Sequence, residues 1–266
     1  MQIPHTQRSL ASLGALALLL ASTVGCASTE RASEAPAEQN PAAAGPAAET
    51  PLAEAPAEEA SVKPGINDNF LDPALDVDKF VERFEGESRE VFANRVAIVK
   101  AIGVEQGAEV ADVGAGTGAF TGIFAEAVGF EGTVYALDIA PNFVEHLTQR
   151  AMTEGHLNVV AQLCSERSVD LPADSIDLAF ICDVYHHFEF PRSTMRSLHD
   201  ALREGGEVVL VDFERIPGES SDWVLGHVRA GKQQVFAELD SYGFELVEEL
   251  ELSGLEENWV ARFRKR

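Results

Sequence analysis

The chain has few cysteines and few positive charges. Of its 266 residues three are cysteine, and 20 Lys and Arg stand against 44 Asp and Glu, a formal net charge of −24. No basic patch is present, which argues against a nucleic-acid partner. A negative surface also disfavours anionic polymers and anionic lipid. Only Cys164 and Cys182 lie beyond Cys26. Both fall in or beside expected strands, where buried free thiols are the preferred reading, although two cysteines in an exported chain could also pair. The apolar run Leu10 to Leu20 is too short for a comfortable membrane span. Residues 27–62 have almost no large apolar side chains, so they cannot bury enough surface to offset the entropy of ordering. No internal repeat is visible.

What is present divides the chain into three. Residues 1–26 read as an export signal: Arg8 begins it, Leu10 to Leu20 is its apolar core, and Thr23-Val24-Gly25-Cys26 is its small-residue exit. A Cys after a small residue resembles a bacterial lipobox, with Thr23 where Leu is commoner. That resemblance implies lipidation at Cys26 and a place in the cell envelope, anchored to a membrane by lipid alone and facing the periplasm. Residues 27–66, rich in Ala, Pro and Glu, are expected to form a disordered tether. Residues 67–266 suffice for one domain with a substantial core.

Within that domain strands and helices alternate. Helical spacing runs from Asp76 to Phe84. A second helix, capped by Ser88, is expected to reach about Ala101 and stop at Gly103. Strands are expected at 109–113, 133–138, 158–163, 176–182 and 207–213. Helices are expected at about 118–128, 141–154, 192–202 and 221–242, and two final strands at 244–252 and 258–264. The gap Ser253 to Glu257 is too short for a crossover helix, so the last two strands should pair antiparallel. The fold class is therefore α/β: a Rossmann-like, seven-stranded, mostly parallel sheet with helices on both faces and an antiparallel C-terminal strand pair.

The densest chemistry lies in Val110-Ala111-Asp112-Val113-Gly114-Ala115-Gly116-Thr117-Gly118, followed by Ala136-Leu137-Asp138. A strand ending in an acid, a glycine turn, and a second acid one βαβ step later suit a nucleoside cofactor. Gly114-x-Gly116-x-x-Ala119 also satisfies a dinucleotide fingerprint. However, Asp112 would repel a pyrophosphate and suits an ammonium. That favours S-adenosylmethionine over NAD, as does the closing strand pair.

With Leu171-Pro172, Ser175 to Phe180, Asp183-Val184-Tyr185-His186-His187-Phe188 and Leu202-Arg203-Glu204-Gly205-Gly206 added, the chain resembles the class I S-adenosylmethionine-dependent methyltransferases over about residues 68–266. The resemblance implies roles by position. Gly114, Gly116 and Gly118 would line the methionine part, and Asp112 would orient its amino group. Asp138 would bind the ribose hydroxyls and Ile139 would pack on the adenine. Arg167 stands where the family often has an Asp beside the adenine amino group, so Glu166 or Ser168 would substitute. Asp183 would face the sulfonium and the acceptor, a small molecule. The N-terminal helices, about 70–102, would act as a lid.

Tyr185, His186 and His187 follow the fourth strand, where ligands sit in such sheets. Either His is a candidate base; the blander alternative is local packing. Asp183 and Asp212 end neighbouring strands, but a lone acid pair is a weak ligand set, and no metal is expected. Arg229 and Lys232, with His227, could meet an anionic acceptor or simply face solvent. Export away from the cytoplasm, where the methyl donor is made, keeps one alternative open: a non-catalytic lipoprotein that binds a nucleoside or a protein partner on the same fold.

Overall fold

The computed structural model describes residues 58–266. The expected signal, Cys26 and most of the expected tether lie outside the described residues. Seven strands form one sheet: β1 (Glu109–Val113), β2 (Thr133–Asp138), β3 (Val159–Leu163), β4 (Ile176–Cys182), β5 (Leu202–Phe213), β6 (Phe244–Glu249) and β7 (Asn258–Lys265). Their order is β3-β2-β1-β4-β5-β7-β6. The pairs from β3 to β5 are parallel, and β7 runs antiparallel between β5 and β6. Eight helices flank them: α1 (Val77–Phe84), α2 (Glu90–Ala93), α3 (Arg95–Ile102), α4 (Thr121–Val128), α5 (Pro141–Glu154), α6 (Pro191–Ala201), α7 (Asp222–His227) and α8 (Lys232–Ser241).

The period-2 alternation of a strand sorts its side chains onto two faces. In β5, Val208 and Leu210 join one core with Ala111, Ile181, Met195 and Leu198. Val209 and Val211 join the other, with Val110, Phe124, Val134 and Phe180. Both faces are covered by helices, so the parallel strands read as nearly continuous apolar runs. Parallel strands also put the carboxyl ends of β1, β2, β4 and β5 on one edge, and the polar residues of interest stand there.

Two expected helices differ from the structure, each through a polar anchor. The helix expected from Ser88 starts after Arg89 and breaks at Asn94 into α2 and α3. There the Asn94 side chain donates to Glu90 O and to Gly254 O, 2.9 Å each. The helix expected over 221–242 splits into α7 and α8. The Arg215 guanidinium caps the end of α7 by donating to Leu225 O (3.0 Å) and Val228 O (2.8 Å). The strand expected from 207 begins earlier, at Leu202, so Gly205-Gly206 lies within β5, where the register with β4 shifts.

Residues 58–66, expected to belong to the tether, pack on the domain. Ser61 Oγ and Gly65 N donate to the Glu189 carboxylate at 2.5 and 2.8 Å. The Glu59 carboxylate accepts from the N–H groups of Arg192 (2.9 Å) and Ser193 (2.7 Å), in the first turn of α6. A carboxylate there meets the positive end of the helix dipole. This segment is a strap rather than a spacer.

Candidate functional site

β1 ends in Asp112-Val113, and the chain then turns through Gly114, Ala115 and Gly116. Gly114 (φ +69°) and Gly116 (φ +54°) take left-handed conformations that favour glycine. Gly114 N and Ala115 N both donate to Leu137 O, at 2.8 and 2.9 Å. The Asp138 carboxylate accepts from Gly116 N (2.9 Å) and Ala140 N (2.8 Å). The acid ending β2 therefore pins the turn that follows β1. Asp112 is buried and accepts from Thr121 Oγ1 at 2.6 Å.

A cavity of about 1200 Å³ opens beside this turn. Its walls include Asp112, Gly114, Gly116, Asp138, Ile139, Glu166, Ser168, Asp183, His186 and His187. Gly118, expected beside them, does not line it. A Cβ there would lie 2.9 Å from Leu147 and 3.5 Å from Arg150, so this glycine allows α5 to pack closely instead. Arg167 also turns away: its guanidinium lies 3.5 Å over the Phe190 ring and pairs with Glu58. Glu166 and Ser168 keep the wall, with Glu166 accepting from Asn67 Nδ2 at 3.1 Å.

Three acids in this cavity are poorly hydrated. Burial pushes the Asp112 carboxyl up to about 7, with the Asp138 charge adding to it and the Thr121 hydroxyl opposing. Burial raises Asp138 to about 6 against its backbone N–H donors. Asp183 also rises to about 6 by burial, opposed by Arg89. Asp183 has φ +54°, an uncommon conformation for a non-glycine residue and one that clusters at functional sites. It pairs with the Arg89 guanidinium and accepts from Asn258 Nδ2 at 2.6 Å.

A carboxyl raised from 3.8 to about 7 binds its proton more tightly in the folded protein than in the unfolded chain. The Asp112 contribution to stability is therefore full below pH ~4 and is lost as pH rises through 7. Asp112→Asn should accordingly raise the thermal midpoint of the ligand-free protein most at pH 8, less at pH 5, and hardly at all below pH ~4. Equal shifts across this range would show that Asp112 is not a buried charge.

The opposite wall is built by a 3-10 turn (Tyr185–His187) and α7. His186 Nδ1 lies 2.7 Å from Asp212 Oδ1, and Asp212 also accepts from His186 N (3.2 Å) and Phe213 N (2.8 Å). The ring nitrogens Nε2 of His187 and His227 are 3.3 Å apart. Burial lowers His187 to about 2 and His227 to about 4, with the neighbouring His186 contributing to both. Tyr185 faces the core instead, its hydroxyl donating to Glu238 at 2.7 Å. Arg229 pairs with the same Glu238, and Lys232 with Glu214 and Glu249. These two cations are thus engaged within the protein. Cys164 and Cys182 are free thiols, and burial raises Cys164 to about 12.

Phe70, Phe80 and Phe84, from the segment before α1 and from α1 itself, line the cavity and pack with Phe143 of α5. Glu90 of α2 accepts from three successive N–H groups, those of Glu256, Glu257 and Asn258, at 2.7, 2.8 and 2.6 Å. The N-terminal helices therefore hold the loop before β7 against the cavity mouth. Sequence reasoning missed Glu90, Asn258 and the convergence of His227 on the paired histidines. One topological signal existed for His227: the segment after β5 leaves the same sheet edge as the segment after β4.

A 3-2-1-4-5-7-6 sheet with a glycine turn after β1 and acids ending β1 and β2 is the class I S-adenosylmethionine-dependent methyltransferase fold. Residues 111–210 match the family described as Methyltransferase domain. Among curated proteins, a ubiquinone/menaquinone biosynthesis C-methyltransferase of Cupriavidus taiwanensis is 25% identical over 114 residues, 43% of this chain and 46% of that protein. An uncharacterized methyltransferase of Bacillus subtilis is 31% identical over 107 residues, 39% of this chain and 40% of that protein. The matches thus span under half of these relatives' lengths. Among solved structures, a SAM-dependent methyltransferase from Aquifex aeolicus aligns with TM-score 0.63 at 20% identity, covering 72% of this chain and 99% of its own. The [4+2]-cyclase SpnF aligns with TM-score 0.58 at 14% identity, covering 65% of this chain and 80% of its own.

Proposed function

We propose that the domain binds S-adenosylmethionine and transfers its methyl group to a small-molecule acceptor. One observation carries this reading: buried Asp112 and Asp138 flank the Gly114 to Gly116 turn at the edge of a 1200 Å³ cavity. The fit is chemical. Asp112, held up to about 7 by burial, gains most from a cation placed against it, such as an amino-acid ammonium. The Asp138 oxygens each accept one backbone N–H, and a carboxylate has further lone pairs for ribose hydroxyls. Gly114 leaves the backbone open where a side chain would meet Val184. Ile139 offers an apolar face, and Glu166 and Ser168 offer polar contacts to a base edge.

The sulfonium donor supplies an electrophilic methyl group: the bond to sulfur breaks as the bond to the acceptor forms, and the thioether leaves with the electron pair. The protein aligns the acceptor and excludes water. Asp183 lines the same cavity, and its carboxylate would favour the positive charge of a sulfonium placed near it. Activation of a hydroxyl, thiol or amine falls to the histidine wall. The low basicity of His187 and His227 disfavours them as proton acceptors, which leaves the ring of His186 oriented by Asp212.

Calorimetric titration with S-adenosylmethionine, S-adenosylhomocysteine and NAD tests the reading. The first two should bind and NAD should not; failure of both would overturn it. Binding without turnover on a panel of acceptors would favour a non-catalytic role on the same fold. We also propose that the chain is exported and lipid-anchored through Cys26, a reading supported by the sequence of residues 1–26. Cys26→Ser should move the protein from the membrane fraction to the soluble fraction of cells. Unchanged partition would refute the anchor.

A further inference from the structure

The histidine wall has more order than a proton acceptor requires. One ring nitrogen from each of His186, His187 and His227 lies within 4.8 Å of the other two. The His187 and His227 Nε2 atoms, at 3.3 Å, already have the separation of two tetrahedral ligands on one ion, about 3.3 Å for metal–nitrogen bonds of about 2.05 Å. Two imidazole nitrogens this close repel through their lone pairs unless a proton or a cation lies between them.

One of the three rings has the support usual behind a metal ligand. Asp212 accepts three N–H bonds, including the 2.7 Å contact with His186 Nδ1. The proton therefore stays on Nδ1 and Nε2 is left as the free donor. A carboxylate behind a ligating imidazole is the usual second layer of such sites. The other two rings are fixed by packing. Trp223 stacks on His227 at 4.6 Å and 19°, and Phe70 meets His187 edge-on at 5.2 Å. Both backbones are also held: Asn67 Nδ2 donates to His187 O at 3.1 Å, and the Lys63 ammonium donates to His227 O. The expected acid pair is committed elsewhere, with Asp183 on Arg89 and Asn258.

We propose that His186, His187 and His227 bind a divalent transition-metal ion of the zinc type, with an open coordination position toward the cavity. An all-imidazole set selects Zn²⁺, Co²⁺ or Ni²⁺ over Mg²⁺ and Ca²⁺, which prefer oxygen. Three protein ligands with a free fourth position are the pattern of catalytic rather than structural zinc. Taken with the methyl-transfer reading, on which this part rests, the site defines an acceptor class. The acceptor would carry a hydroxyl or thiol that ligates the ion and, made more acidic by it, gives its proton up to bulk water before the methyl group is transferred. His186 is then a ligand and not a base.

The test uses the full chain, stripped with chelator and titrated with Co²⁺ alone, read by visible absorption, then displaced with Zn²⁺. One equivalent should bind with the intense bands of a four- or five-coordinate nitrogen site. Asp212→Asn should weaken binding about 10–100-fold, and His227→Ala by at least as much. His199→Ala, on α6 against Phe244, should change nothing. A parent-like circular dichroism spectrum and a cooperative urea transition show that the His227 and Asp212 variants fold. Because the metal titration contains no methyl donor, it can succeed or fail independently of the methyl-transfer reading. Absence of saturable Co²⁺ binding overturns the metal site, as does binding that His227→Ala leaves intact.

Discussion

Gly114→Ala is expected to destabilise the protein by about 2–6 kcal/mol, read as a lowered urea midpoint at unchanged slope. Two costs combine. A non-glycine residue in a sparsely populated conformation costs about 1–3 kcal/mol, and Gly114 sits at φ +69°. Its new Cβ would also lie 2.5 and 2.7 Å from the two Val184 methyl carbons, and overpacking of that kind costs about 1–3 kcal/mol. The turn cannot easily move aside, because Gly114 N and Ala115 N are both tied to Leu137 O. Two controls separate the terms. Gly103→Ala has the same backbone problem (φ +68°) with nothing within 4 Å of the added carbon, so it should show the smaller cost alone. Val184→Ala in the Gly114→Ala background should recover part of the loss. A loss below about 1 kcal/mol would show that the turn yields.

Asp138→Ala should weaken S-adenosylhomocysteine binding by about 1–3 kcal/mol, roughly 5–150-fold, the cost of leaving buried hydrogen-bonding groups without a partner. The effect has two sources. The ribose hydroxyls lose their acceptor, and Gly116 N and Ala140 N lose theirs, which loosens the turn that shapes the cleft. Asp138→Asn keeps one oxygen acceptor and should fall between. Asp177→Ala, at the opposite end of β4 in a half-exposed pair with Arg203, should leave affinity unchanged. An Asp138→Ala protein that binds as the parent does would remove Asp138 from the ribose contact. Urea unfolding without ligand shows whether the loss lies in binding or in the fold.

The sheet was legible because parallel strands buried on both faces leave compact apolar runs with sharp ends. The expected bounds of β1, β2 and β4 coincide with those observed. The missing crossover before the last strand fixed their antiparallel pairing from loop length alone. Helices were legible where a local stop exists, as at Gly103, a left-handed cap. They were misread where a distant partner decides. Asn94 breaks a helix by reaching Gly254, and Arg215 ends α7 from another segment. The tether was misplaced at its end for the same reason: Glu59 caps α6 more than 130 residues away.

Similarly, the glycine turn and its two acids could be identified from the sequence, but their individual contacts could not. The spacing of Gly118 is that of a cofactor glycine, and its contact is with Leu147 of α5.

By itself the sequence determined the layered α/β architecture, the strand edge that carries chemistry, and the acid–glycine–acid motif there. Each of these follows from local periodicity, turn chemistry and chain connectivity. Only the tertiary structure decided what lies across the cavity. His227 is 40 residues from His187 along the chain and 3.3 Å from it in space. That contact depends on where α7 stops, on Arg215 capping it, and on Lys63 of the strap holding its last turn. These are long-range polar anchors with no periodic signature, so the histidine wall appears only when the chain is folded.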